Sequence, residues 1–286
     1  MQIFVQTRGA ARASDYCFLG QAPHTPWWRT YRDQTTFDHP TLIMHSDGSG
    51  WQAYLSGIPS TRVDAVGTAV RYTVALEGAC GAAEAAANAP ALAIIAAWLS
   101  DIGRGISAAA PGQVQSAFDR EFPGQVVERL LGEGRDGIWP EAQQRALAAV
   151  RSLPAVRPGA GGRAGSWIGE VAAQLPRAEF LSRAAELFAG APGRALFLNL
   201  IGSREDGAAL AQDGLPVAIL GDDITGTSGD DIAELSPKKA PPSLRLTRQV
   251  TAQQTMPRRA TRKTSRRPSL LGRLMAWFGG RRRRFP

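Results

Sequence analysis

The chain has 286 residues, 44% of them apolar, which is enough to build a buried core and excludes a wholly disordered protein. Only 7% are aromatic and 20% charged, in an alanine- and glycine-rich background where arginine replaces lysine, the kind of composition that GC-rich bacterial coding produces. The net charge of +8 is divided unevenly: 15 of the 33 basic residues, including all three lysines, lie past Ser236, with none of the 25 carboxylates. That last segment carries +15, and the 18 arginines before it leave the body at −7.

Residues 1–80 read as a β-rich region. Short β-favouring runs at 3–5, 16–19, 41–44, 51–55 and 69–76 are separated by Gly, Pro and Asp, the pattern of an antiparallel sheet. Ser46-Asp47-Gly48-Ser49-Gly50 joins two of these runs and has the glycines a hairpin needs. Trp27, Trp28, Tyr31, Phe37, Trp51, Tyr54 and Tyr72 read as one aromatic cluster packed over this sheet.

Residues 81–152 turn helical, with apolar residues at three and four spacing through 91–99, 114–122, 124–131 and 140–150; Pro140 is placed at a helix start, where proline is tolerated. The Pro-, Gly- and Arg-rich stretch 153–165 reads as a loop or internal boundary. Residues 166–235 then hold a helix at 177–188 and a small β-α-β element, with strands at 194–201 and 216–220 and a helix at 205–212 ended by Gly214. Residues 236–286 form a polybasic tail whose composition predicts disorder to about 268. The fold class expected is α+β, with an N-terminal antiparallel β-rich region, a helical middle, a small C-terminal β-α-β element and a disordered basic tail.

The tail ends in a short amphipathic helix at 269–279. At about 100° per residue, Leu270, Leu271, Leu274, Met275, Trp277 and Phe278 share an arc of about 160°, while Arg281, Arg282, Arg283 and Arg284 follow it. At about 1.5 Å per residue this helix is too short to cross a bilayer but suits a membrane interface, where each basic residue near anionic lipid adds on the order of 1 kcal/mol. Three readings remain open: docking on an anionic membrane, capture by a groove on a protein partner or on the acidic body, and nucleic-acid binding through counterion release. The apolar arc favours the first, because nucleic acid gives it no role. Arg266-Arg267-Pro268-Ser269 also fits the pattern of a basophilic kinase target.

In the body, Asp222, Asp223, Asp230 and Asp231 follow a strand end. They read either as an oxygen-ligand set for Mg²⁺ or Ca²⁺ or, more simply, as an acidic surface loop. His24, His39 and His45 match no zinc ladder, Cys17 reads as a buried structural thiol, and a body without lysine excludes a P-loop. No catalytic motif and no cofactor are legible. Two cysteines, no signal peptide and no apolar run of spanning length point to a cytoplasmic protein, peripheral at the inner membrane face.

One stretch has the texture of a motif: Ser46 to Gly50, then Tyr54-Leu55-Ser56-Gly57-Ile58-Pro59-Ser60-Thr61-Arg62, Asp64, Gly67 and Arg71-Tyr72. It resembles the N-terminal module of accessory proteins encoded beside bacterial GTPases or other NTPases in conflict and anti-phage systems, over about a quarter of the chain. The resemblance implies a regulatory or adaptor role with an NTPase partner, and Arg62, Asp64 and Arg71 as interface contacts. Taken together, these features predict a non-enzymatic regulatory protein that docks through its tail. A nucleic-acid-binding protein and an enzyme with an unrecognised site are the alternatives.

Overall fold

The computed structural model describes residues 1–10, 15–36, 39–105, 111–132, 135–159, 161–225, 227 and 229–236, without the side chains of 135–137. The chain divides into two units, Met1–Lys239 and Ala240–Pro286. All the tail positions from 266 onward named above lie outside the described residues, as does Phe37.

The first unit is built on one nine-stranded sheet in the order β2-β1-β5-β4-β3-β7-β8-β6-β9. Its N-terminal half is antiparallel: β1 (Gln2–Thr7), β2 (Cys17–Phe18), β3 (Thr41–Ser46), β4 (Gly50–Val63) and β5 (Ala69–Ala79). The β3–β4 hairpin turns where the glycines predicted it. Asp47 Oδ1 accepts from the N–H groups of Gly50 and Ser49, which holds the Asp47 pKa down at about 2. β4 extends beyond the predicted run through a bulge between Leu55 and Ile58. Gly57 makes that bulge possible at φ +76°, where a Cβ would lie 2.5 Å from the His39 carbonyl oxygen.

The middle of the chain folds into α1 (Ala85–Gly103), α2 (Gln113–Glu121), α3 (Gly124–Gly132) and α4 (Arg135–Arg151). The α1 segment, counted from Ala82, is long and apolar enough to span a membrane, but 67% of its most apolar window is buried in the body. It is the core helix of one face, with Ile94, Ile95, Trp98 and Leu99 almost fully buried. At its end, buried Asp101 accepts from the N–H groups of Gln113 and Val114 at 2.9 and 3.0 Å, placing a carboxylate at the positive start of α2. Pro140 is not at a helix start: α4 begins five residues earlier. Tertiary packing draws the helix upstream, since Ile138 is buried in the core and Trp139 stacks on Phe4 of β1 at 4.9 Å.

The C-terminal part adds β6 (Trp167–Glu170), α5 (Gln174–Ala189), β7 (Gly193–Phe197), α6 (Arg204–Leu210), β8 (Val217–Gly221) and β9 (Ile232–Glu234). β7, α6 and β8 are the predicted β-α-β element, with β7 and β8 parallel. β6, parallel to β8 on its other side, enlarges the unit to three parallel strands. The chain crosses from β6 to β7 by α5 on one face and returns to β8 by α6 on the other. Reversing both the direction and the face keeps one handedness for both crossovers. β3 pairs antiparallel with β7 from Leu42–Phe197 to Ser46–Gly193, so the sheet is continuous across 153–165.

Strand alternation sorts the core into two layers. One face, with Val5, Met44, Trp51, Tyr72, Val74 and Phe197, lies against α1, α2, α4 and α5. The other face, with Phe4, Ile43, Tyr54, Leu196 and Ile219, is covered over its antiparallel half by a 3₁₀ segment, Trp27–Gln34, and over its parallel half by residues of α6.

Candidate functional site

The three residues implied by the resemblance come together near the β4–β5 turn, each with partners inside the fold. Arg62 donates to the Arg8 carbonyl at 2.9 Å and to Thr7 Oγ1 at 2.6 Å, and lies 4.9 Å above the Tyr72 ring. Asp64 shapes the turn by accepting from the N–H groups of Val66 and Thr68, and it pairs with Arg8 at 2.5 Å. Desolvation pushes the Asp64 pKa up, but those backbone bonds and Arg8 outweigh it and hold the carboxyl below its usual value. Arg71 donates to the Gly57 carbonyl and so braces the bulge.

Asp119 of α2 is the node of this corner. Its carboxylate accepts from Ser60 Oγ at 2.6 Å, the Thr61 N–H at 2.8 Å and the Tyr72 hydroxyl at 3.0 Å. Burial, with Asp119 beside it, pushes the Tyr72 pKa up to about 12, so the phenol stays a donor. The chemistry of this corner is that of a hydrogen-bonded brace.

The acidic stretch occupies the carboxyl end of β8, the side of a parallel sheet where ligands usually bind. Burial raises the Asp222 pKa, opposed by His39, and Asp223 is the one described non-glycine residue at positive φ, +51°. Asp230 has a structural role: its Oδ1 accepts from the Leu175 N–H at the start of α5. Among the described residues no three His, Cys, Asp or Glu side chains come together as a metal set.

The thiol of Cys17 is exposed, contrary to the buried role expected from its apolar neighbours. The reason is topological: β2 is only two residues long and sits at the sheet edge, so no neighbouring strand covers it.

Two concavities lie beside the 3₁₀ segment. Trp28 stacks on Tyr54 with ring centroids 4.8 Å apart and planes within 9°, and Trp27 meets Trp28 edge-on. Tyr54 is buried, which raises its hydroxyl pKa. Two hollows flank the stack, and Trp28 and Arg29 line both. The larger, about 530 Å³, has walls of Tyr16, Phe18, Leu130, Leu131 and Ile138. The smaller, about 240 Å³, adds Arg32, Thr35, Thr36, Tyr54 and Ser56.

The exit of the segment is fastened to the carboxyl end of β7. Asn199 Oδ1 accepts from the Thr36 N–H at 3.0 Å while its Nδ2 donates to the Thr36 carbonyl at 3.2 Å, and the Leu200 N–H donates to the Gln34 carbonyl. Sequence reasoning placed all the aromatics in one cluster, but strand alternation sends Trp51 and Tyr72 to the helical face and Tyr54 to this one. Arg29, Arg32 and Asn199 carried no motif that could have marked them. No protein family, curated protein or solved structure matches this chain.

Proposed function

We propose that the chain is a non-catalytic regulatory protein whose folded body recognises a partner and whose C-terminal segment brings it to an anionic membrane surface. One observation carries this reading. The charge reverses from −7 to +15 at Ser236, and the basic part ends in an apolar arc containing Trp277 and Phe278. Coulomb attraction gathers such a segment at an anionic leaflet, and insertion of the arc adds a term that salt does not screen. The border also falls close to the end of the compact unit at Lys239. The resemblance supports an NTPase as the protein partner, within a bacterial defence system, and a peripheral place at the inner membrane face.

Co-sedimentation of the full chain with vesicles tests this. Vesicles containing about a third anionic lipid pull down the native chain and neutral vesicles do not. Trp277→Glu weakens binding, and replacing Arg281 through Arg284 with Gln weakens it further. Equal sedimentation with neutral vesicles, or no effect of Trp277→Glu, overturns the reading. The fifteen positive charges favour one alternative, nucleic-acid binding. In that case affinity for a duplex falls steeply with salt and is indifferent to Trp277→Glu.

A further inference from the structure

We propose that the paired hollows beside Trp27–Gln34 form a binding site for a nucleoside phosphate. This inference is independent of the membrane reading.

The geometry begins with the 3₁₀ segment. Eight residues is long for this conformation, which rarely persists beyond three or four. With three residues per turn, Arg29 and Arg32 fall in one row, followed by Thr35 at the extended cap of the segment, while Trp28 and Tyr31 fall in the adjacent row. The first row lines the smaller hollow, joined there by the hydroxyls of Thr36 and Ser56. The two guanidinium groups, with the Thr36 hydroxyl beside them, are donors suited to a phosphate, while the Thr35 hydroxyl is already given to the Tyr31 carbonyl at 3.2 Å.

Among the described residues neither arginine is held by a buried partner. Among the described residues Arg29 has no ion pair, and Arg32 has only Asp33 at 3.4 Å, with both side chains about four-fifths exposed. A pair in that setting is weak and yields readily to a doubly charged ligand.

The larger hollow suits the rest of the ligand. Its Tyr16, Phe18, Trp28, Leu130 and Ile138 walls present aromatic and aliphatic surface to a flat ring, and about 530 Å³ falls within the usual range for small-molecule sites. Trp28 and Arg29 line both hollows, so the two are adjacent, and the proposed ligand lies across Trp28 and Arg29 with its ring in the larger and its phosphate in the smaller. Inorganic phosphate alone would leave the larger hollow empty. The site is held in advance by the Trp28–Tyr54 stack and by the pair of hydrogen bonds between Asn199 and Thr36, which reduces the ordering cost of binding.

Calorimetric titration of the full chain tests the proposal, using the four ribonucleoside monophosphates, the corresponding nucleosides and inorganic phosphate at physiological salt. At least one monophosphate binds ten-fold or more tightly than its nucleoside and than phosphate. The double variant R29Q/R32Q lowers that affinity at least ten-fold and leaves unfolding unchanged, since both side chains are exposed, and Arg32→Gln alone, at a residue that lines only the smaller hollow, weakens the monophosphate and leaves nucleoside binding unchanged. Ala22→Trp, on the exposed rim of the larger hollow, removes binding of both nucleotide and nucleoside.

The polybasic tail attracts phosphates by charge alone, so replacing Arg281 through Arg284 with Gln is the control and leaves the monophosphate affinity within about two-fold. The proposal is overturned if no monophosphate binds at millimolar concentration. It is equally overturned if R29Q/R32Q changes nothing, or if the tail substitutions rather than R29Q/R32Q abolish binding.

Discussion

Asp119→Ala removes the acceptor on which α2, the end of β4 and Tyr72 converge. Three donors lose their partner: Ser60 Oγ at 2.6 Å, the Thr61 N–H at 2.8 Å and the Tyr72 hydroxyl at 3.0 Å. Hydrogen bonds to a charged acceptor contribute about 1.5–3 kcal/mol each. The sum is smaller than three full bonds, because the Tyr72 hydroxyl keeps the Phe122 carbonyl at 3.2 Å and the Thr61 amide faces water. A loss of about 3 kcal/mol remains. At roughly 2–4 °C per kcal/mol for a unit of this size, Tm falls by roughly 6–12 °C. Urea unfolding shows the same loss as a lower midpoint with an unchanged slope. Asp119→Asn keeps one carbonyl acceptor and gives about half the effect. A midpoint within about 0.5 kcal/mol of the native chain for Asp119→Ala would refute the idea that this carboxylate braces the corner.

Other substitutions probe other parts of the fold. Gly78→Ala puts a Cβ 2.6 Å from the Trp51 ring, which is fully buried and cannot retreat, so unfolding free energy drops by about 1–3 kcal/mol. Asn199→Ala removes both bonds to Thr36, costs about 1–2 kcal/mol in denaturant unfolding, and speeds hydrogen exchange in residues 27–36 more than elsewhere. Glu77 sits partly buried, hydrogen-bonded by Gln52 at 3.1 Å, and burial raises its pKa. Its folded form thus holds the proton more tightly than its unfolded form, and ionisation is penalised. Glu77→Gln therefore stabilises the fold above the raised pKa, and the gain disappears as pH falls below the ordinary carboxylate range. Glu141 has the opposite sign: hydrogen bonds from Arg129 and Arg145 lower its pKa to about 2. Its stabilising contribution is present above the usual carboxylate pKa near 4.5 and is lost as pH falls toward 2, so the difference between native chain and Glu141→Gln in a pH series of unfolding midpoints shrinks in that window.

Much of the fold was legible because period and punctuation agree in it. β1 is dense in β-branched and aromatic residues, β3 and β5 carry apolar runs, and the glycines at 48 and 50 mark a real turn. The sequence breaks down where tertiary contacts override local signals. Gly57 and Pro59 suggest a strand end, yet β4 continues past both because the bulge absorbs them and Asp119 fastens the far side. β6 is four residues between Ser166 and Val171 with a glycine of its own, and β9 is three residues whose ladder partners are all in β6, so neither carries a period of its own. Of the candidate site, the aromatic density at 27–31 was visible in the sequence. The three-residue period that puts Arg29 and Arg32 in one row was not, because no local signal separates a 3₁₀ from an α period, and the partner that holds the segment's exit, Asn199, is more than 160 residues away in the chain.

The division of labour between an acidic folded unit and a basic docking segment is tested most directly by hydrogen–deuterium exchange of the full chain with and without anionic vesicles. Residues 269–279 become protected only when anionic vesicles are present, while β1, β3, β4 and β5 exchange at unchanged rates. Protection of that segment by duplex DNA instead, or exchange at the same rate with and without vesicles, contradicts it.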